Sequence, residues 1–392
     1  MTEMRVMVIA GEPSGDLLAA ELVRELRSMF REQGREAKFF GAGGVQMQGA
    51  DVELAFDMTQ YAVVGLIEVV RNYGKFRRLF RALLELAVER CPDLIICVDF
   101  SGFNRRFAHA VRKVSRFATG WSPKIVQYVS PQVWASREGR AGKMARDFDL
   151  LLAIFPFEPG WYAARVPSFK VEFVGHPIFE RHKEWREKIA TKSATPKNPA
   201  NVLLLPGSRV GELKRHLPVM LQAAGTIAAA HPARFDLVLP NDSLLDYAKT
   251  FLAGAPPVAA RAGGLAEALL AADVALASTG TVTLECAFFR VPTVAMYKTS
   301  WSTFQIGKRI VKVKFLAMPN ILADEAVFPE FVQNDANPEN LSRAALSLLQ
   351  DVPKWQQIQT RLGGIIGSLE GQGGTRQAAE AVVRLIVSQT AR

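Results

Sequence analysis

The 392-residue chain has no apolar run approaching the roughly 20 residues needed to cross a bilayer. Its apolar stretches, such as Leu150 to Phe155 and Leu94 to Val98, fall far short, so no transmembrane helix is expected. The three cysteines, Cys91, Cys97 and Cys286, lie in apolar segments without paired spacing. That argues against a disulfide framework or a zinc knuckle and for a reducing cytosol. Five scattered histidines offer no metal-ligand spacing. Neither Gly-x-Gly-x-x-Gly nor Gly-x-x-x-x-Gly-Lys-Ser/Thr occurs, and Gly41-Ala42-Gly43-Gly44 is no substitute, so dinucleotide and P-loop readings lack their markers. Asp147-Phe148-Asp149 has the form of a metal-holding Asp-x-Asp but precedes a strand instead of following one, and no metal is assigned. Repeats of solenoid length and low-complexity tracts are absent too.

What is present suits a two-domain globular protein. A hydrophobic content of 49% over this length allows two separate cores. Glu3 and the short run Val6 to Ala10 suit a first buried strand rather than a secretory signal. A net charge of +10 attracts anions, whether nucleic acid, acidic lipid or a phosphorylated substrate, and does not choose among them. Two stretches are basic without an intervening acid. One is Arg71, Lys75, Arg77, Arg78 and Arg81; the other is Lys298, Lys308, Arg309, Lys312 and Lys314.

Short β-branched runs alternate with amphipathic segments of helix length: Val6 to Ala10 then Leu17 to Phe30, Leu94 to Val98 then Phe107 to Phe117, Ile125 to Val129 then a basic stretch to Arg146. This is the rhythm of βα units in a parallel sheet. It resumes after the polar stretch Thr191 to Asn201, with strands at Val202 to Leu205, Phe235 to Leu239, Val274 to Ala277 and Thr293 to Met296. The fold class is α/β, with two Rossmann-like halves joined near Gly175-His176-Pro177. The division is 1–176, a linker 177–200, 201–365, and a C-terminal helix within 366–392 that packs back on the N-terminal domain. Leu66 to Arg90 reads as a further helix, with Gly74 as its weak point.

In open parallel sheets, ligands gather outside the carboxyl ends of the strands, so the polar residues there are the candidates. Gly11-Glu12-Pro13-Ser14-Gly15-Asp16 ends the first strand and opens a helix, offering amides to an anion or to sugar hydroxyls, or else is a turn capped by Ser14 or Asp16. Asp99 ends Leu94 to Val98 with Asn104 close behind; it is a candidate base for a hydroxyl nucleophile, or a helix cap. Pro206-Gly207-Ser208-Arg209 and Ser278-Thr279-Gly280-Thr281-Val282-Thr283-Leu284-Glu285 both have the form strand, small residues, helix. Small residues let the backbone approach a diphosphate, Arg209 adds a charge-assisted contact, and Glu285 could accept from ribose hydroxyls.

Taken in order, Ala10 to Asp16, Val98 to Asn104, Tyr128-Val129-Ser130-Pro131-Gln132-Val133-Trp134-Ala135, Phe155-Pro156-Phe157-Glu158, Gly175-His176-Pro177, Leu205 to Arg209, Ser278 to Glu285 and Pro319-Asn320-Ile321-Leu322-Ala323 resemble the lipid-A-disaccharide synthase family, from residue 6 to about 385. The resemblance implies a GT-B fold, two Rossmann-like domains facing across a cleft, the N-terminal half for the acceptor and the C-terminal half for the UDP of the donor. It implies joining UDP-2,3-diacylglucosamine to 2,3-diacylglucosamine 1-phosphate (lipid X) in a β-1,6 linkage with release of UDP. The transfer would be inverting and metal-independent, with no cofactor. Asp99 would be the base, with Glu12, Ser14, Asn104 and Trp134 on the acceptor side. Ser208, Arg209, Ser278, Thr279, Gly280, Thr281, Glu285 and Asn320 would hold the donor.

The implied setting is the cytoplasmic face of the inner membrane, where the segment Leu66 to Arg81 meets anionic lipid. A homodimer is compatible with this reading, and no nucleic-acid partner is expected. The chain departs from the family pattern at Gly102, where a second acid is common, and at Ser136, where a tryptophan is common. Competing readings are another GT-B UDP-GlcNAc transferase or epimerase, a nucleotide-binding regulator or basic membrane-surface protein, and a Rossmann dehydrogenase.

Overall fold

A computed structural model of the chain describes residues 3–58, 73–117, 120–301, 304–305, 313–371 and 374–390. The chain divides into two compact units, one of Met1–Glu180 with Leu369–Arg392 and one of Arg181–Ser368. Each is a parallel α/β sheet. The first has seven strands: β1 (Met4–Ala10), β2 (Ala37–Gly43), β3 (Glu53–Asp57), β4 (Leu94–Val98), β5 (Lys124–Tyr128), β6 (Leu150–Ala153) and β7 (Val171–Phe173). Their spatial order is β3-β2-β1-β4-β5-β6-β7.

The second unit has six: β8 (Ala200–Leu205), β9 (Ala233–Leu239), β10 (Val258–Ala262), β11 (Val274–Ser278), β12 (Thr293–Tyr297) and β13 (Glu330–Val332). Their order is β10-β9-β8-β11-β12-β13, with every pairing parallel. In each sheet the order reverses between two neighbours, β1 and β4 in one, β8 and β11 in the other. These are the topological switch points of a doubly wound fold.

The central strands are the apolar runs, because a parallel sheet covered by helices on both faces buries both sides of its strands. Val6 to Ala10 and Leu94 to Val98 have no exposed surface. Helices Tyr73–Arg90 and Ser101–Ser115 cover one face of the first sheet through Leu83, Ala87, Phe107 and Val111. In the second unit, helices Val210–Ala230 and Pro338–Gln350 bury Leu217, Met220, Leu341 and Leu348 against its sheet. Within the first unit, helix Gly374–Thr390 packs on helix Pro13–Glu32.

Of the helix expected over Leu66 to Arg90, the described part is Tyr73–Arg90. Leu66 to Asn72, with Arg71, lie outside the described residues, as do Lys308, Arg309 and Lys312 of the second basic stretch. Lys298 of that stretch is tied inward, its ammonium donating to the carbonyls of Gln333 and Ala336 at 2.8 and 3.0 Å. Among the described residues no helix is long and apolar enough to cross a membrane.

Trp355, on helix Val352–Ser368, is fully buried and donates its indole N–H to the Asp273 carbonyl at 2.8 Å, linking that helix to the start of β11. Truncating such an anchor leaves a cavity and an orphaned carbonyl. Trp355→Ala should therefore destabilise the second unit by about 3–5 kcal/mol. Urea unfolding measures this, and an unchanged midpoint contradicts the packing.

Candidate functional site

The strand registers bring the candidate loops together in pairs. Ala10 of β1 lies beside Val98 of β4, so the loop from Gly11 and the residue Asp99 leave the sheet side by side. Leu205 of β8 lies beside Ala277 of β11, so Pro206 to Arg209 and Ser278 to Thr281 do the same in the second unit.

At the first switch point the backbone is held in unusual conformations. Asp99 and Phe100 have φ of 46° and 39°, and Val129, just past β5, has 68°. Aspartate tolerates the left-handed region; phenylalanine and a β-branched valine do so poorly, at roughly 1–3 kcal/mol each. Two buried amides hold these turns. Asn104 Nδ2 donates to the carbonyls of Val98 and Asp99 at 3.2 and 2.9 Å. Gln127 Nε2 shares its two hydrogens among the carbonyls of Asp99, Tyr128 and Val129 at 3.1–3.2 Å. Facing carbonyls, both amides must present nitrogen, which fixes their orientation. Among the described residues Asn104 Oδ1 and Gln127 Oε1 have no partner. Asn104 thus fixes the backbone of Asp99, and Gln127, which sequence reasoning missed, shares that role. Its signal was a lone amide inside an apolar strand.

The first loop closes over this turn. An added Cβ on Gly11 would lie 2.2 Å from the Phe100 ring, so only glycine fits there, and Gly15 packs on the Asp99 side chain. Helix Pro13–Glu32 starts at Glu12 with no side-chain cap, and Ser14 is exposed in its first turn. Asp16 does not cap this helix; its carboxylate accepts from the amides of Gly44, Gln46 and Met47 at 2.7–3.2 Å and anchors the turn after β2. Burial, and then the negative charge of Glu12, push the Asp99 carboxyl up to about 6.

Trp134 is 7% exposed and donates its indole N–H to Glu158 Oε1 at 3.0 Å. Glu158 is fully buried and also accepts from the Phe155 amide; burial pushes its carboxyl up to about 7 against these hydrogen bonds. Asp147 is engaged by the Arg146 guanidinium and the His109 ring, and Asp149 by Arg112 and Lys124.

At the second switch point, Gly207 has φ of 124°, and a Cβ there would strike the Glu212 carboxylate at 2.4 Å. Glu212 accepts from the Ser208 amide at 3.0 Å. Arg209, with 77% of its side chain exposed, reaches Glu212 only at 3.5 Å. An exposed pair this long is weak, so the guanidinium is free to turn to an anion. His216 is buried and neutral-leaning, its pKa lowered by burial; Nδ1 lies 2.7 Å from the Pro206 carbonyl and Nε2 accepts from the Lys298 amide at 3.0 Å. It pins the Pro206 loop, a role not visible in the sequence.

Ser278 is the buried last residue of β11, and the Thr279 amide donates to Met296. Gly280, with φ of 131°, opens helix Thr281–Phe288, whose N-terminus no side chain caps. Glu285 is buried, 2.6 Å from His182 Nε2 and 3.3 Å from an Arg181 nitrogen; burial opposes its ionisation, but these partners hold its carboxyl below the usual range. Asn320 is buried, with its amide nitrogen donating to the Phe328 carbonyl and Glu330 at 2.8 and 2.7 Å, and its oxygen accepting from the Phe328 amide at 2.8 Å. Glu330 in turn accepts from the amides of Leu316 and Ala317. His182 and Glu330 were not singled out from sequence; the first pairing spans 103 residues of chain and the second closes a ten-residue loop.

Residues 6–383 match the family model described as lipid-A-disaccharide synthetase. A lipid-A-disaccharide synthase of Trichlorobacter lovleyi is 36% identical over 388 residues, covering 97% of each chain. Among solved structures, a UDP-GlcNAc 2-epimerase from Neisseria meningitidis, bound to UDP-GlcNAc, aligns with a TM-score of 0.56 at 12% identity, covering 98% of this chain and 100% of that one. The calicheamicin glycosyltransferase CalG4 aligns over 100% of both chains with a TM-score of 0.58 at 14% identity. At such low identity these likenesses show the fold alone, and it is GT-B.

The raised Asp99 carboxyl has a consequence for stability. Folded, it holds its proton more tightly than the unfolded chain does, so its favourable contribution is complete below about pH 3.8 and gone above about pH 6. Ionised in place it costs the fold up to about 3 kcal/mol. Asp99→Asn should raise stability more at about pH 8 than at about pH 4; chemical unfolding at the two pH values measures the difference, and an equal or reversed effect contradicts the assignment.

Proposed function

The chain belongs to the lipid-A-disaccharide synthase family and is a glycosyltransferase of lipid A biosynthesis; from this we propose that it transfers 2,3-diacylglucosamine from UDP to the 6-hydroxyl of 2,3-diacylglucosamine 1-phosphate. The observation that carries this reading is the pairing of loops at the switch points: a carboxyl with a raised pKa at one, and small residues, an uncapped helix N-terminus and a free guanidinium at the other. The UDP-GlcNAc seen in the epimerase of the same fold supports a UDP-sugar donor.

Asp99 takes the proton of the acceptor 6-hydroxyl as its oxygen bonds to the anomeric carbon of the donor. The bond from that carbon to the diphosphate oxygen breaks, and UDP leaves with the electron pair. One displacement inverts the centre and gives the β-1,6-linked disaccharide 1-phosphate. A pKa near 6 leaves Asp99 ionised at neutral pH while keeping it a better base than an ordinary carboxylate. The amides of helix Thr281–Phe288 and the Arg209 guanidinium stabilise the charge developing on the diphosphate, so departure needs no metal.

Asn104 and Gln127 hold the base, and Glu12 sustains its raised pKa. Glu285 and Asn320 shape the donor side from positions already fixed by His182 and Glu330. Exposed Arg77, Arg78 and Arg81 on helix Tyr73–Arg90 suit contact with anionic lipid at the cytoplasmic face of the inner membrane.

Separate variants should affect separate steps. Asp99→Asn should keep UDP-sugar affinity and lose roughly 10²- to 10⁴-fold in turnover. In the wild-type enzyme, turnover should rise with pH through an acid limb near 6, since the base must be ionised. Arg209→Ala should weaken UDP binding roughly 10- to 100-fold. Near-normal turnover of the Asp99 variant would sink its role as base.

A further inference from the structure

Arginines follow the two strands next to the first switch point. Arg105 and Arg106 lie on helix Ser101–Ser115, about one turn beyond its start behind Asp99, and Arg137 and Arg140 flank the turn Glu138–Arg140 after β5. Strands β4 and β5 are paired, so both loops emerge at one edge. Further along, His109 Nδ1 lies 3.2 Å from Asp147 and Arg112 donates to the Asp147 carbonyl at 3.1 Å, which sets helix Ser101–Ser115 beside helix Ala141–Asp147. Arg105 stands four residues before His109, and Arg140 seven before Asp147, so both occupy the facing sides on the Asp99 side of that contact.

Among the described residues no ion pair joins these four guanidinium groups to a carboxylate; Glu138, within their span, pairs with Arg165 at 3.7 Å and makes a further interaction. Arg105 and Arg140 are half-buried, and Arg106 and Arg137 are exposed at the rim of the cluster. The crowding is felt at Arg140, whose pKa is lowered by burial and then by the charges of Arg105, Arg137 and Arg106. Four like charges with a single acid, Glu138, in their span keep a positive excess beside the base, which is unfavourable until an anion enters. Forked guanidinium donors match a phosphate, and half-burial limits the seat to one compact group.

We propose that Arg105, Arg106, Arg137 and Arg140 form a seat for a phosphate monoester, the anomeric phosphate of the sugar acceptor. The assignment to the acceptor rests on the transferase reading above. The 6-hydroxyl and the anomeric phosphate are carried on the two sides of the ring oxygen of one pyranose, a separation on the order of the 6 Å by which Arg105 follows Ser101 along the helix. The cluster therefore selects a phosphorylated acceptor and holds it with its 6-hydroxyl toward Asp99.

The test titrates glucosamine 1-phosphate and N-acetylglucosamine into wild type, Arg105→Ala/Arg140→Ala and Arg140→Lys, then measures turnover with diacylglucosamine carrying or lacking the phosphate. The double variant should bind glucosamine 1-phosphate at least about 10-fold more weakly with UDP affinity retained, and Arg140→Lys should lose less, since it keeps the charge without the fork. The KM for the phosphorylated acceptor should rise by a similar factor, and that for the unphosphorylated one should not. Unchanged sugar-phosphate binding, or equal losses with both acceptors, overturns the seat. Loss of retention on phosphatidate vesicles with glucosamine 1-phosphate binding intact assigns the cluster to a lipid headgroup and also overturns it. If the sugar phosphate binds through the cluster but no acceptor elicits UDP release, the transferase reading fails and the phosphate seat stands.

Discussion

In both units the parallel sheet changes direction between two adjacent strands, and the placing of Asp99, Arg209 and the loops beside them depends on that reversal. Neighbouring strands whose following helices turn to opposite faces leave their carboxyl ends uncovered. The register then decides what meets there. Ala10 beside Val98 sets a helix N-terminus against Asp99, and Leu205 beside Ala277 sets Arg209 near a second helix N-terminus. A glycine is needed at Gly11 because the Phe100 ring occupies the space a side chain would take. The left-handed residues at the ends of β4 and β5 are tolerable because Asn104 and Gln127 tie their carbonyls together.

The same architecture explains what the sequence revealed and what it concealed. Strand β4 is read to the residue from Leu94 to Val98, since a strand buried on both faces is an uninterrupted apolar run. The strands at the sheet edges, β3, β7, β10 and β13, carry half-exposed or polar residues and show no such run. Strand β2 hides behind Gly41 and Gly43. Loops that follow the central strands were legible because their chemistry is local. The contacts that position them were not: Gln127 to Asp99, His216 to Pro206, His182 to Glu285 and Glu330 to Asn320 each depend on a partner that only the folded sheet brings near.

The raised carboxyls of the first unit, Asp99 and Glu158, arise from burial without full neutralisation. Asp99 is raised to about 6 beside Glu12, and Glu158 to about 7 among Trp134 and the Phe155 amide. Glu285, equally enclosed, moves the other way because the His182 hydrogen bond and the Arg181 charge favour its ionised form. A buried acid thus becomes a base or an anchor according to its partners. Asp99 is raised by burial and by the neighbouring acid Glu12, an environment that favours a proton acceptor.

In the proposed reaction one unit activates an acylated sugar hydroxyl while the other releases UDP. The most direct measurement is UDP release with UDP-diacylglucosamine and diacylglucosamine 1-phosphate, each omitted in turn, with and without a chelator. Release that requires both substrates and is indifferent to the chelator is the predicted result. Release without acceptor, turnover confined to non-acylated sugars, or loss of release on chelation would contradict it.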